Sequence, residues 1–193
     1  MIFEPKWKSL MANTVKPLFT PAQCQDIINM GHKQKSEEAK VGTTDKISKH
    51  DTKMRITTIS WIPFKVMPDM YRIIERTMLQ INGNHFGYEG MQLTEIAQFT
   101  EYPKGGFYDW HMDAEVNCKF EPPIRKISMT ILLSDPSEFE GGDLEFMAEG
   151  NKPPQLLQGQ AIFFCSLLRH RVAKVKKGVR RSLVMWFGGP PFK

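Results

Sequence analysis

The sequence has little with which to cross-link itself. Its three cysteines, Cys24, Cys118 and Cys165, are an odd number, lie far apart and include no Cys-x-x-Cys pair. That excludes a zinc ribbon, a thioredoxin-type motif and a disulfide framework, and it points to a reducing compartment. Long hydrophobic runs are missing too. Met1 to Lys16 mixes charges with isolated apolar residues, and no later stretch has the length to cross a bilayer. The expectation is a soluble, cytoplasmic protein without a membrane partner. Repeats and low-complexity tracts are absent, so a single domain over residues 1–193 is expected.

What is present is an ordinary globular composition, with 41% hydrophobic and 24% charged residues. A formal net charge of +5 favours acidic ligands but is too small to be a nucleic-acid signature by itself. Thr20 followed by Pro21 starts a helix that runs to about Lys33 and carries Cys24, Ile27, Ile28 and Met30 on one side. Lys35 to Lys53 is polar and long for a connection, which suggests a mobile loop that orders over a binding site. Arg55 to Pro63 reads as one strand. Met67 to Gly83 reads as an amphipathic helix with Met70, Ile73, Ile74, Met78, Leu79 and Ile81 inward. From Met91 onward the texture is all β. Strands are expected at Leu93–Tyr102, Tyr108–Asp113, Lys126–Leu133, Asp143–Met147, Gly159–Cys165, His170–Val175 and Arg180–Phe187, with Lys176-Lys177-Gly178 as the last turn. Two helices followed by about eight short antiparallel strands give a mainly β (α+β) fold class. The expected architecture is a double-stranded β-helix, or jelly roll, with the N-terminal helices packed on one sheet.

The chemistry gathers around His111-Met112-Asp113. On a strand, residues i and i+2 face the same way, so one imidazole and one carboxylate project together. That pair is two-thirds of the 2-His-1-carboxylate triad of non-haem Fe(II) oxygenases. A lone His-x-Asp is weak, and the plain alternative is a surface histidine beside a turn aspartate. His32, His50 and His85 read as capping or solvated residues. His170 differs, because it opens a late strand after the apolar run Ala161 to Cys165 and, in a jelly roll, lies beside the strand carrying His111. Arg180 follows ten residues later, across the turn. Its planar two-pronged donor suits a carboxylate, such as the far carboxylate of a 2-oxo acid chelating iron. Arg180 and Arg181 face opposite ways on a strand. Arg180 shares its side with Ser182, Val184 and Trp186, whereas Arg181 shares its side with Leu183, Met185 and Phe187.

The set Tyr102-Pro103, Gly106-x-Tyr108-x-x-His111-x-Asp113, Leu133-Ser134-Asp135, Glu140-Gly141-Gly142-Asp143-Leu144 and His170-x-Val172 through Gly178-x-Arg180 to Trp186 resembles the prolyl 4-hydroxylase-type branch of the Fe(II)/2-oxoglutarate dioxygenases. The resemblance covers roughly residues 18 to 188. It implies iron held by His111, Asp113 and His170, with 2-oxoglutarate and O2 as co-substrates. It also implies Arg180 as partner of the 2-oxoglutarate C5 carboxylate, and Tyr102 touching the co-substrate. The sequence departs from the family in two places. Where many members carry a second tyrosine after the metal pair, this chain has Ser128 to Leu133, so either the Thr130 hydroxyl substitutes or none does. Collagen-type enzymes use Lys at the Arg180 position, which separates the co-substrate expectation from the substrate expectation. Ser182 supplies a polar group beside Arg180. Arg55, Tyr108 and Trp186 are the candidate substrate contacts.

The implied activity is hydroxylation of an unactivated C–H bond, with peptidyl proline as the first substrate class. A free amino acid, a small metabolite or a nucleobase is the alternative for the same chemistry. Outside enzymes, the alternative is a non-catalytic jelly-roll binding module. The basic cluster Arg169, Arg171, Lys174, Lys176, Lys177, Arg180 and Arg181 has a nucleic-acid reading, ranked second because it lacks interleaved aromatics and divides between two strand faces.

Overall fold

The computed structural model describes residues 9–38, 54–114, 123–147 and 154–191. In chain order the elements are β1 (Met11–Asn13), α1 (Pro21–Lys33), β2 (Glu37–Glu38), β3 (Arg55–Ile56), β4 (Thr58–Ile62), α2 (Pro68–Ile81), β5 (Gln92–Leu93), β6 (Ala97–Tyr102), β7 (Phe107–His111), β8 (Ile124–Leu132), β9 (Phe139–Gly141), β10 (Leu144–Phe146), β11 (Ala161–Cys165), β12 (His170–Val172), β13 (Val175–Gly178) and β14 (Arg180–Gly189). Eight strands form one antiparallel sheet in the order β1-β11-β8-β14-β6-β4-β2, with β5 also on β14. A second sheet runs β10-β12-β7-β3, and β13 pairs with β9. The protein is therefore mostly β with few helices. Among the described residues no helix is long and apolar enough to cross a membrane.

α1 begins where its caps require. The Thr20 side chain accepts from the Gln23 backbone N–H, and the Gln23 side chain accepts from the Thr20 N–H, so two N-terminal donors are satisfied reciprocally. The helix buries Cys24, Ile27, Ile28 and Gly31. Gly31 lies so close to the sheet that a Cβ there would come within 2.4 Å of the Phe99 ring. The Ser60 hydroxyl donates to the Gly31 carbonyl at 2.7 Å, tying helix to sheet. α2 buries Met70, Tyr71, Ile74, Met78 and Ile81. Leu79, expected on that face, is instead 51% exposed. Beyond Ile81 the chain does not stop at Asn82-Gly83. It continues as a wider π turn to Phe86 and is ended by Gly87 in the left-handed region.

The apolar residues divide into two clusters. One joins α1 and α2 residues to Phe99, Ile127, Met129, Ile131, Phe163, Leu183, Met185 and Phe187 on the outer face of the large sheet. The other joins Tyr102, Leu132, Leu144, Phe146, Leu156, Ile162, Phe164, Val172 and Val175. Alternate residues of β11 thus go to opposite clusters, and in β14 Leu183, Met185 and Phe187 join the first cluster while Arg180, Ser182, Val184 and Trp186 line a cavity on the other face, which is the period-2 rule at work.

Several expected boundaries differ. Arg55 to Pro63 is two strands, with Arg55 and Ile56 in the small sheet and Thr58 to Ile62 in the large one. Leu93 to Tyr102 is broken between β5 and β6. Glu37 and Glu38, inside the expected loop, form an edge strand on β4. Residues 39–53 of that loop, and with them the expected ordering over a site, lie outside the described residues, as do His50 and Cys118. Lys176 to Gly178 pairs with β9 and is strand, not turn. At Gly178 the φ is +70°, and a Cβ there would strike the Glu138 carbonyl.

Candidate metal and co-substrate site

His111 closes β7 and His170 opens β12. The two strands are hydrogen-bonded neighbours, and the two histidines are register partners. Asp113 lies two residues past the end of β7, so strand parity alone does not place it. Its backbone N–H donates to the Ser166 carbonyl at 3.0 Å, and Ala114 N–H donates to the same oxygen at 3.1 Å. This clamp turns the carboxylate between the two rings. His111 Nε2 lies 3.6 Å from one Asp113 oxygen and His170 Nε2 lies 3.6 Å from the other. One ligand atom from each of the three falls within 4.8 Å of the others.

Both histidines are held by the same local device. His111 Nδ1 is 2.7 Å from the Asp109 carbonyl, and His170 Nδ1 is 2.9 Å from the Leu168 carbonyl, in each case two residues earlier. A carbonyl can only accept, so each Nδ1 carries the proton and each Nε2 offers its lone pair inward. This is the usual outer bonding of metal-binding imidazoles. Burial raises the Asp113 carboxyl, but His170, His111 and the Ser128 hydroxyl outweigh it and hold the group well below the usual carboxylate range. Burial and His111 push the His170 pKa down, against the opposing pull of Asp113. An ionised carboxylate and a neutral imidazole are the forms a divalent cation needs.

The sign of the pH effect follows. The folded state keeps His170 neutral below its ordinary value of 6.5, so there the unfolded chain binds more protons and folding loses stability. Asp113, also lowered, acts in the same direction at lower pH. Its contribution is present above 3.8 and is lost only in more acid solution. The chelator-treated protein should therefore have a level urea midpoint down to about pH 6.5 and a falling one toward about pH 5. His170→Asn should flatten that fall, and a wild-type midpoint that rises between pH 7 and 5 would contradict the account.

The triad sits in a cavity of about 630 Å³ whose lining also includes Arg55, Tyr102, Tyr108, Arg125, Thr130, Arg180, Ser182 and Trp186. Arg180 is 3% exposed. Burial pushes its pKa down, while Tyr102 and Asp143 act to raise it. No ion pair to Arg180 occurs among the described residues. It donates to Ser182 Oγ at 3.2 Å, and its guanidinium lies 5.6 Å from the centre of the Tyr102 ring. Gly142 gives it room, since a Cβ there would approach the Arg180 side chain at 2.9 Å. Arg181 points to the other face and pairs with Glu101 at 2.8 Å. Arg171 and Lys177 pair with Glu145 and Glu140. Three members of the basic cluster thus have separate acidic partners.

Tyr108 stacks on His111 with ring centres 3.5 Å apart, and burial pushes its phenol up to about 12. Arg55 lies over the other part of this column, 4.4 Å from the Tyr108 ring centre. Trp186 lies under Arg125 at 4.0 Å, and both sit in the cavity wall. Sequence reasoning missed Arg125, Gln98, Trp61 and Glu37, which also line it. Gln98 was within reach, since it shares strand parity with Tyr102.

A family model for the 2OG-Fe(II) oxygenase superfamily matches residues 97–188, the stretch that carries the triad and Arg180. Over that stretch the chain is similar to this superfamily. A PKHD-type hydroxylase of Synechococcus sp. (strain CC9311) is 31% identical over 122 residues, 61% of this chain and 52% of that protein. The aligned stretches span between 36% and 52% of the first curated relatives. Among solved structures, the viral collagen prolyl hydroxylase of Paramecium Bursaria Chlorella virus-1, in a 2OG complex, superposes with a TM-score of 0.71 at 20% identity. The match covers 94% of this chain and 97% of that one. A prolyl hydroxylase of Trichoplax adhaerens, in complex with a hypoxia inducible factor peptide fragment, gives 0.70 at 16% identity, covering 93% and 84%. The chain thus shares its fold with these solved structures.

Proposed function

We propose that the chain is one Fe(II)- and 2-oxoglutarate-dependent dioxygenase domain that hydroxylates an unactivated C–H bond, with peptidyl proline as the first substrate class. The observation that carries this reading is the shared cavity. Two imidazoles with inward Nε2 atoms and one ionised carboxylate converge in it, and a buried guanidinium without an ion pair among the described residues lines the same space.

The donor set fits Fe(II). Two nitrogens and one carboxylate leave coordination positions open, the pattern of non-haem iron oxygenases. His111, Asp113 and His170 would hold the ion. Arg180 would bind the far carboxylate of 2-oxoglutarate, with Ser182 and Thr130 as hydroxyl neighbours and Tyr102 against the chain. Fe(II) supplies the redox chemistry when bound: O2 is consumed, 2-oxoglutarate is decarboxylated to succinate and CO2, and one oxygen atom enters the substrate.

The protein's own part is positioning and exclusion of water. Tyr108 covers one face of His111 and, with its phenol kept protonated by burial, adds no competing anion beside the ion. Arg55, Tyr108 and Trp186 form the substrate side of the cavity. Backing of the large sheet by α1 and α2 keeps β14, and so Arg180, fixed. The reading places the protein in the cytoplasm. Its test is mass spectrometry of proline-containing peptides incubated with the protein, Fe(II), 2-oxoglutarate and air. A gain of one oxygen on proline supports it. A gain only on free amino acids or other small metabolites would move the substrate class and keep the chemistry.

A further inference from the structure

Of the three residues in the metal cluster, Asp113 is the one that no strand holds. His111 closes β7 and His170 opens β12, but Asp113 lies beyond the sheet. What fixes it comes from β8. Ser166, whose carbonyl takes the Asp113 and Ala114 N–H groups, is tied to β8 twice. Its N–H donates to the Lys126 carbonyl at 3.0 Å, and its hydroxyl lies 2.9 Å from that of Ser128. This secures the amide side of Asp113. The carbonyl side is met by Arg125, whose Nη1 donates to the Asp113 carbonyl at 3.3 Å.

Arg125 is held in turn. Its Nε and Nη2 donate to the two oxygens of Glu95, which fixes the guanidinium in its plane. Its flat face lies on Trp186 at 4.0 Å. The side chains of Arg125 and Glu95 are 33% and 30% exposed, and an ion pair so open to water contributes little to stability by itself. The strand is also irregular at this point. On a regular β8, Arg125 shares the side of Ile127 and Met129, which pack in the core under the helices. The register slip, Phe187 with Ile127 but Gly188 with Arg125, turns it to the cavity instead. A bulge that re-aims one side chain is a recurring device beside active sites.

We propose that Arg125, held by Glu95, is a positioning residue for the metal: it fixes the Asp113 main chain so that the carboxylate stays between His111 and His170. The inference rests on the oxygenase reading and extends it to a residue pair outside the ligand set. Charge alone makes the opposite prediction. A cation beside a metal site repels the ion, so removing it should strengthen Fe(II) binding. Positioning requires that removing it weakens binding.

The test uses the full chain and the metal alone. Fe(II) affinity is measured under argon against a chromophoric chelator, and Co(II) is loaded separately because its visible bands report coordination geometry. Arg125→Met keeps a side chain that packs on Trp186 but removes the charge and the donors. It should lower Fe(II) affinity about 10- to 100-fold, the usual effect of losing an outer partner of a metal site, and it should shift the Co(II) bands. Arg125→Lys should fall between Met and wild type, because an ammonium lacks the planar fork that serves Glu95 and Asp113 together. Glu95→Gln leaves Arg125 in place but loosens its plane, so it should move both readouts in the same direction by less.

Unchanged affinity and bands in Arg125→Met overturn the proposal, even where its thermal midpoint falls, since that is the mark of a merely structural pair. A rise in affinity, or full recovery in Arg125→Lys, overturns it as well. Should Arg125→Met not fold, Glu95→Gln decides: either its Co(II) bands shift or the proposal falls. Wild type and Asp113→Ala, measured alongside, separate the two failures. If the wild type binds through Asp113 and Arg125→Met binds equally well, only the positioning role falls. If the wild type binds neither metal, or binds as well without Asp113, the oxygenase reading falls and takes the proposal with it.

Discussion

Arg180→Ala should raise the 2-oxoglutarate concentration needed for half-saturation by about 30-fold to several thousand-fold, while Arg181→Ala should change it little. The range corresponds to losing one partner of a buried, hydrogen-bonded charge pair, roughly 2–5 kcal/mol. The adjacent arginines differ because one strand carries them to opposite faces. Arg180 is buried in the cavity beside Ser182 and Tyr102, whereas Arg181 is satisfied by Glu101 behind the sheet. Arg180→Lys keeps the charge but loses the two-pronged geometry, so it should fall between. Calorimetric titration of 2-oxoglutarate into the iron-loaded variants under argon measures all three. The reverse ordering of the two alanine variants would place the co-substrate on the wrong side of β14.

Asp113→Ala should cost at least about 100-fold in Fe(II) affinity, more than the loss of an outer hydrogen-bond partner does. Asp113 is the only carboxylate in the described three-residue cluster, and its two oxygens are shared between the two histidines. Asp113→Glu should fail nearly as badly. The backbone is pinned by two hydrogen bonds to the Ser166 carbonyl, so the longer side chain cannot back away. Iron retained after gel filtration, with unchanged circular dichroism as the folding control, is the measurement. Wild-type iron content in Asp113→Ala would remove the metal assignment.

Much of this arrangement was legible because it follows local rules. The Thr20-Pro21 start of α1, the pairing of the His111 and His170 strands and the opposite facing of Arg180 and Arg181 all rest on capping or period-2 alternation. What escaped depends on irregular register, which a sequence does not display. β12 and β7 pair His170 with His111 but Val172 with Tyr108, a shift of one residue. The shift brings Tyr108 onto the His111 ring, although residues three apart on an ideal strand face opposite ways. β8 slips in the same manner. Phe187 pairs with Ile127 but Gly188 with Arg125, so Arg125 reaches the Thr130 side that strict alternation gives to Lys126. Trp61 and Glu37 were missed because the break at Thr57 and the edge strand at Glu37 are set by pairing with distant β6 and β4, not by local composition.

The most direct test of the central claim is the stoichiometry of 2-oxoglutarate consumption by the purified chain in air. With Fe(II), the account predicts succinate formed one for one with 2-oxoglutarate consumed, lost on adding a chelator and lost in Asp113→Ala. Tight binding of Fe(II) and 2-oxoglutarate with no succinate would instead mean that the fold holds the ligands without turnover, and would contradict it.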